Sequence, residues 1–155
     1  MIPSLKILTE EITETKYPSN TYKIVFSAKN DPIQASRGVV ALTVSTETES
    51  GDRIGGYVDG LEAVAQAVYL ILATERYQYI IYSWDYGVEF VDLIGKPMPY
   101  VMSELPRRIR EALTQDNRID DVIDFEFEQK GNQLHVTFTV VSNVGNLSTE
   151  LEVEV

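Results

Sequence analysis

The chain has 155 residues and a net charge of −11, with 24 acidic residues against 13 lysines and arginines. This length suits one domain with a sizeable core, and the 44% hydrophobic and 24% charged content is typical of a globular protein. The acidic balance argues against a nucleic-acid partner, since phosphate binding needs a basic surface. No apolar run reaches the roughly 18 residues of a membrane span, so no membrane partner is expected.

The chain has no cysteine and a single histidine, His135. Disulfides, thiolate metal sites, multi-histidine metal sites and histidine-based triads are therefore excluded. No glycine-rich phosphate loop and no calcium loop is present, so we expect neither a metal nor a cofactor. The first residues lack a basic flank followed by an apolar segment, and we expect no secretory signal.

The N-terminal third predicts an arm followed by two strands. Residues 1–20 are mixed and polar, which is typical of an arm. Apolar residues at alternate positions from Tyr22 to Phe26 predict a strand over 21–28. A valine-rich run predicts a second strand over 38–45, and we expect the two strands to pair as a hairpin.

A helix is expected over residues 60–75. Asp59 can accept hydrogen bonds from the free amides of the first turn, and Glu62 can reach back to close a capping box. An apolar stripe at helical spacing predicts an amphipathic helix: Leu61, Val64, Val68, Ile71 and Leu72.

An aromatic run follows this helix. It contains Tyr77, Tyr79, Tyr82, Trp84 and Tyr86. Aromatic and β-branched residues over 79–84 predict a strand whose rings pack on the helices, with hydroxyls reaching the surface. The alternative is an exposed platform on which sugars or bases stack.

A second helix is expected over residues 103–115, with Leu105, Ile109, Ala112 and Leu113 on its inner face. Pro106 is tolerated in the first turn, where its missing amide has no intrahelical partner anyway. This requirement places the helix start near Ser103.

The second helix is basic and the strands after it are acidic. Arg107, Arg108 and Arg110 lie on the helix, whereas residues 119–155 are rich in aspartate and glutamate with Lys130 as their single cation. Such asymmetry suits electrostatically guided assembly. A solvated acidic face that keeps the protein soluble is the alternative.

The last third predicts three strands. Apolar and acidic residues alternate from Ile123 to Glu128, a turn follows at 130–132, and residues 134–141 alternate again. The final strand covers 147–155, with Leu147, Leu151, Val153 and Val155 on one face. Such a strand must pair in its own sheet or with another chain.

These patterns predict an α+β fold. Two amphipathic helices pack on a mainly antiparallel sheet, with an N-terminal hairpin and C-terminal strands. We divide the chain into an arm and hairpin extension, residues 1–52, and an α+β domain, residues 53–155.

Paired carboxylates are the remaining route to catalysis. Glycoside hydrolysis needs two of them, and the candidates are Glu62, Glu75, Glu89, Asp92 and Glu104. Nothing in the sequence brings two of these across a cleft, and an acidic chain contains such pairs by chance. We therefore expect no enzyme.

The motifs of residues 53–119 resemble those of XkdS-type proteins from PBSX-like prophages. The matching runs are RIGGYVDGLEAV at 53–64, TERY at 74–77, YSWDYG at 82–87 and GKP at 95–97, followed by EL, RRI and EAL between 104 and 113. That family is similar in turn to the baseplate wedge proteins of contractile tails that are often labelled tail lysozyme-like. The resemblance implies a small α+β protein located where the core bundle of the wedge meets the first ring of tail sheath.

The wedge family carries a Glu-Pro-Arg signature near the end of its second helix. Asp116, Asn117 and Arg118 match it here, with a shorter acid and with asparagine in place of proline. The resemblance implies that this triplet binds a neighbouring wedge protein, with Arg107, Arg108 and Arg110 as further contacts.

The resemblance thus implies a structural wedge subunit, present in multiple copies in a ring, that links the baseplate to the tail sheath protein. The strand containing Leu147, Leu151 and Val153 would pair with strands of the sheath. Tube or hub proteins are further candidate partners. The protein would lie in the baseplate of a virion or phage-like particle, and in the bacterial host cytoplasm during assembly. The alternatives are a peptidoglycan-cleaving tail lysozyme and an assembly factor absent from finished particles.

Overall fold

The structure, a computed structural model, describes residues 19–25, 41–42 and 53–154. Its strands are β1 (Thr21–Val25), β2 (Ala41–Leu42), β3 (Arg53–Val58), β4 (Ile119–Lys130), β5 (Gln133–Ser142) and β6 (Gly145–Glu154). Its helices are α1 (Gly60–Ala73) and α2 (Met98–Leu113), with a short 3-10 helix at Val91–Leu93 between them. The expected α+β class, with two helices and antiparallel pairing, is confirmed.

The larger sheet has four antiparallel strands in the order β2, β6, β5, β4. The alternation predicted for its long strands is confirmed, because β5 buries every second side chain: Leu134, Val136, Phe138 and Val140. On β6, Leu151 and Val153 are buried and Leu147 is partly buried against the same core. One face of the sheet therefore forms the floor of the core.

Strand β4 is bent by an irregularity in its pairing with β5. The register shifts between Ile123 and Glu126, and Asp124 has a φ of 56°, a backbone conformation that non-glycine residues rarely adopt. Phe125 still turns inward and stacks on Phe138 with a centroid separation of 5.5 Å. The bend keeps the acidic side chains of β4 outside.

Helix α1 agrees with the prediction over residues 60–75. Asp59 accepts a hydrogen bond from the Gly60 amide at 2.7 Å, and Val64, Val68 and Leu72 lie in the core. The expected capping box does not form, because the Glu62 carboxylate instead pairs with Lys23 of β1 at 2.9 Å.

Helix α2 begins five residues before the predicted start at Ser103. Pro97 is its N-cap and Pro99 lies in the first turn, so Pro106 is inside the helix. The early start buries Val101 completely. This burial offsets part of the cost of the interior proline, about 3 kcal/mol.

The two N-terminal strands do not pair with each other in the described residues. Strand β1 pairs with β3, from Thr21 opposite Val58 to Val25 opposite Arg53, and β2 pairs with β6. The predicted hairpin is therefore replaced by two separate pairings, and β3 was not predicted at all. The remainder of the predicted strands and the arm over 1–18 lie outside the described residues.

The expected strand over 79–84 is wrong. Backbone hydrogen bonds join Tyr82 to Tyr79 and Tyr86 to Ser83, so this segment is a loop of consecutive turns. Most of its large side chains are exposed rather than packed on the helices. No helix in the described part of the chain is long and apolar enough to cross a membrane.

Candidate protein-binding surfaces

The outer edge of β6 is the first candidate surface. Strand β6 pairs with β5 from Gly145 to Glu154, whereas among the described residues its other edge meets only the two residues of β2, opposite Leu151 and Glu152. Strand edges offer unpaired amides and carbonyls to another chain. Among the described residues, the edge over 145–150 is therefore the candidate site of strand addition.

The register shows which residues of β6 point their backbone groups to this edge. Ser142 and Gly145 flank the two-residue turn at 143–144 and form the first pair of the ladder. Antiparallel pairs alternate between hydrogen-bonded and non-hydrogen-bonded, so the amides of Asn146, Ser148 and Glu150 face away from β5. Ser148 is exposed, and its side chain has no place in the core.

The opposite edge of the sheet, on β4, is covered by side chains at Asp121 and Val122. The Arg110 guanidinium donates to the carbonyl of Val122 at 2.8 and 3.2 Å and pairs with Asp121 at 2.9 Å. The Asp121 carboxylate also accepts from the Val122 amide at 2.7 Å. Together with the bend at Asp124, these contacts disfavour strand addition at β4.

The predicted triplet lies at the corner between α2 and β4. Asp116 and Arg118 are buried and bound to each other, with both carboxylate oxygens accepting from the guanidinium at 2.6–3.2 Å. Asp116 also accepts from the backbone amide of Arg118 at 3.0 Å, and Asn117 is exposed. The ion pair fixes the turn that leads from the helix into the sheet.

A groove of about 310 Å³ opens beside this corner. Its walls include Thr21 of β1, Gln66 and Leu70 of α1, and Tyr86, with Asp116 and Arg118 at one end. Gln66 ties β1 to α1 by accepting from the Ile24 amide and donating to the Tyr22 carbonyl, at 2.9 and 2.8 Å. Burial raises the pKa of Tyr86 to about 12, so its hydroxyl stays protonated at neutral pH.

The other predicted arginines are also bound within the chain. Arg107 pairs with Glu104 at 2.8 Å and Glu111 at 3.2 Å on the exposed side of α2. Arg108 is largely buried, donates to the Glu89 carbonyl at 2.6 Å and forms a two-contact pair with Asp92. The basic face expected from the sequence is therefore largely neutralised by the protein's own carboxylates.

The candidate catalytic carboxylates are engaged in structural contacts. Arg108 holds the pKa of Asp92 below its usual value, and Arg107 does the same for Glu104. Burial raises the pKa of Glu75, whose two oxygens accept from the amides of Phe90 and Val91. Within the described ranges, no group of three or more histidine, cysteine, aspartate or glutamate residues could hold a metal ion.

The sequence analysis did not predict one feature of these surfaces and did not favour a second. The blocked β4 edge depends on a contact between Arg110 and a backbone carbonyl, which no spacing predicts. The exposure of the aromatic run was considered only as the alternative to a packed strand, although the turn-forming Ser83, Asp85 and Gly87 were a signal for it.

The sequence of the chain matches a known class of structural protein. A family model described as contractile injection system sheath initiator matches residues 43–145, and the chain belongs to this family. It therefore has a structural role in a phage-type tail and its sheath. The chain is also similar to the phage-like element PBSX protein XkdS of Bacillus subtilis (strain 168), with 41% identity over 111 residues that cover 70% of this chain and 79% of that protein. The resemblance stated from the motifs is confirmed.

Proposed function

We propose that this protein is a baseplate wedge subunit that anchors the first ring of tail sheath by accepting a strand of the sheath protein at the outer edge of β6. The observation that carries the proposal is the asymmetry of the sheet. Its β4 edge is blocked at Val122 by Arg110 and Asp121, whereas the amides of Asn146, Ser148 and Glu150 point outward from β6. Membership of the sheath initiator family supports a sheath protein as the source of the strand.

Backbone hydrogen bonds would supply most of the anchoring energy, and alternating side chains would set the register. Leu147, Leu151 and Val153 do not touch the partner in this proposal. Their side chains pack in the core and hold in place the strand that receives the partner. Exposed charge pairs contribute only about 0–1 kcal/mol each. A ring of copies adds avidity, so each contact can be weak while the ring holds.

The α2–β4 corner is proposed to bind a neighbouring wedge protein. Asn117 is the exposed member of the triplet, and the buried pair of Asp116 and Arg118 holds it in place. The adjoining groove of about 310 Å³ can take a side chain of that neighbour. In this proposal Arg107 extends the contact, whereas Arg108 and Arg110 support it from within the fold. Residues 1–52 are proposed to be an extension on this wedge-like domain of 53–155.

Ser148→Pro tests the strand addition. Proline at this position removes an outward amide but no hydrogen bond to β5, so the isolated variant should keep its fold and fail to retain sheath in particles. Ser148→Ala is the control for the lost hydroxyl. Thr149→Pro removes an amide that faces β5 and should unfold the sheet instead.

The measurement is electron microscopy of particles with a tagged copy of each variant. A label at the sheath-proximal edge of the baseplate, with sheath lost only in Ser148→Pro, is the expected result. Sheathed particles from a folded Ser148→Pro variant would refute strand addition at this edge. Particles without any label would favour an assembly factor. Release of peptidoglycan fragments by the purified protein would favour a tail lysozyme.

A further inference from the structure

The loop between α1 and the 3-10 helix carries a dense run of exposed large hydrophobic side chains. Ile80 is fully exposed, and Ile81 and Trp84 keep 84% and 80% of their surface accessible. Tyr77, Tyr79 and Tyr82 are exposed as well. We call residues 77–84 the tyrosine loop. Contiguous exposed apolar patches of this kind mark interaction sites.

A rigid neck holds the tyrosine loop away from the core. The Arg76 amide donates to the Val88 carbonyl at 3.0 Å, and the Val88 amide donates to the Thr74 carbonyl at 2.9 Å. The Arg76 side chain adds a bond to the Gly87 carbonyl at 3.1 Å, and Glu75 accepts from two amides beyond the neck. Compact loops with close, fixed ends are frequently functional, because the fixed ends lower the entropy cost of binding.

The arrangement of the side chains favours an apolar groove over a sugar. The ring of Tyr82 stacks on Tyr86 at 4.6 Å and lies perpendicular to the ring of Tyr79 at 6.1 Å, so these three rings pack on one another. The two isoleucines at the tip offer no ring face for a sugar. Their binding is favourable only when an apolar surface covers them and removes them from water.

The charges around the neck favour a partner whose apolar groove has basic residues at its rim. The tyrosine loop has no carboxylate or cation, but it is flanked by the exposed Asp85 and by Glu89. The Arg76 guanidinium is largely buried and already bound by Glu89 and Glu111, at 3.4 and 3.0 Å. The exposed Asp85 and the net charge of −11 would repel an anionic bilayer, whereas a protein surface with lysines or arginines would be attracted.

We infer that the tyrosine loop is a docking knob that inserts into an apolar, basic-rimmed groove of another protein of the particle. Tyrosine and tryptophan are the residues that most often anchor such contacts, since they bury a large area with few rotatable bonds and keep a polar group for the rim. The inference rests on the proposed structural role, and it assigns a third contact, separate from the β6 edge and the α2–β4 corner.

The double variant Ile80→Ser/Ile81→Ser tests the knob. Both side chains lie outside the core, so the variant should unfold at the same urea concentration as the unchanged protein. Its copy number in purified particles should fall by about ten-fold or more, as expected when a central apolar anchor is removed. Ile54→Ser on β3, also exposed at 71%, is the matched control and should be incorporated normally.

The partner is then identified with a photoreactive benzoyl-phenylalanine at position 79, irradiated in purified particles. The expected result is a cross-linked peptide from a different particle protein, rich in apolar residues and lysine or arginine. Cross-links to a second copy of this chain, or normal incorporation of the double variant, would overturn the inference and leave the proposed function intact. Absence of the unchanged protein from particles would instead refute the proposed function.

Trp84 is the single tryptophan of the chain, so its fluorescence tests whether the loop binds a bilayer or a glycan instead of a protein. Its emission should not change with phosphatidylglycerol vesicles, phosphatidylcholine vesicles or chitotetraose. A shift of the emission to shorter wavelength with either vesicle would show that the partner is a bilayer and not a protein groove. A change of the Trp84 emission with chitotetraose would show that the partner is a glycan.

Discussion

Single residues set the shape of the neck that carries the tyrosine loop. Gly87 has a φ of +95°, and a Cβ at this position would lie 2.5 Å from the Thr74 carbonyl oxygen. Only glycine avoids both the strained backbone and the clash. The close approach of the Thr74 backbone to Gly87 became visible only in the fold.

Gly87→Ala should lower the free energy of unfolding by about 2–4 kcal/mol, the sum of backbone strain and overpacking. Gly95→Ala is the control, because Gly95 has a similar φ of +75° with nothing within 4 Å of the added Cβ. It should cost only about 1 kcal/mol. Urea unfolding measures both, and equal losses would contradict the importance of the Thr74 contact.

The pair of Asp92 and Arg108 gives the protein a small acid dependence. Because folding lowers the pKa of Asp92, its contribution is complete above the usual value of 3.8 and is lost as the pH falls through the lowered pKa. Asp92 is mostly exposed, so solvent screening limits the contribution to about 0.5–1 kcal/mol. Asp92→Asn should therefore be less stable at pH 7 by that amount.

At pH 3 the difference between Asp92→Asn and the unchanged protein should shrink. Denaturant unfolding of both proteins at the two pH values measures it. A difference that stays constant with pH would show that the carboxylate charge does not stabilise the fold.

Elements with a clear period were predictable, and elements defined by distant partners were not. Helix α1 and strands β4, β5 and β6 follow from local alternation, because each buries a face that its own sequence marks. The tyrosine loop has the same composition as a buried strand, so residue type alone could not separate the two. Strands β1 and β3 pair although they are distant in sequence, and no local pattern in either strand identifies its partner.

Helix α2 shows how one proline misleads a boundary prediction. Pro106 argued for a start near Ser103, although Pro99 is the proline that occupies the first turn. Burial of Val101 favours the longer helix. The candidate interface residues on α2 could be found from their charge, but their internal partners depend on the neighbouring elements.

Hydrogen exchange tests the longer helix. In a helix that begins at Met98, the amides of Met102 and Ser103 have intrahelical acceptors and should exchange slowly. If the helix began at Ser103, both amides would lie in or before an open first turn and exchange quickly. The amides of Ile80 and Ile81 in the exposed part of the tyrosine loop provide a fast-exchanging reference.

At the scale of the molecule, β6 has two tasks. It supplies Leu151 and Val153 to the core, and it presents the edge proposed to receive the sheath strand. A deletion of this strand therefore removes structure and assembly together. Point variants at outward positions separate the two tasks.

Deleting residues 147–155 should abolish cooperative unfolding altogether. Loss of the buried Leu151 alone is expected to cost about 2–5 kcal/mol, a large share of the 5–15 kcal/mol that stabilise a typical domain. Near-ultraviolet circular dichroism during heating measures the transition. A sharp transition in the truncated chain would contradict the central position of β6, and Ser148→Pro should keep it.

The order of the strands along the chain gives β6 a further consequence during synthesis. The ribosome releases β6 after β4 and β5, so the nascent protein contains the tyrosine loop and both helices before the sheet is finished. A chain that stalls before residue 145 lacks both strand β6 of the core and the edge proposed to bind the sheath. Under the proposed function, such truncated products could not bind the sheath. Incomplete chains would then be excluded from the growing tail without a separate quality-control factor.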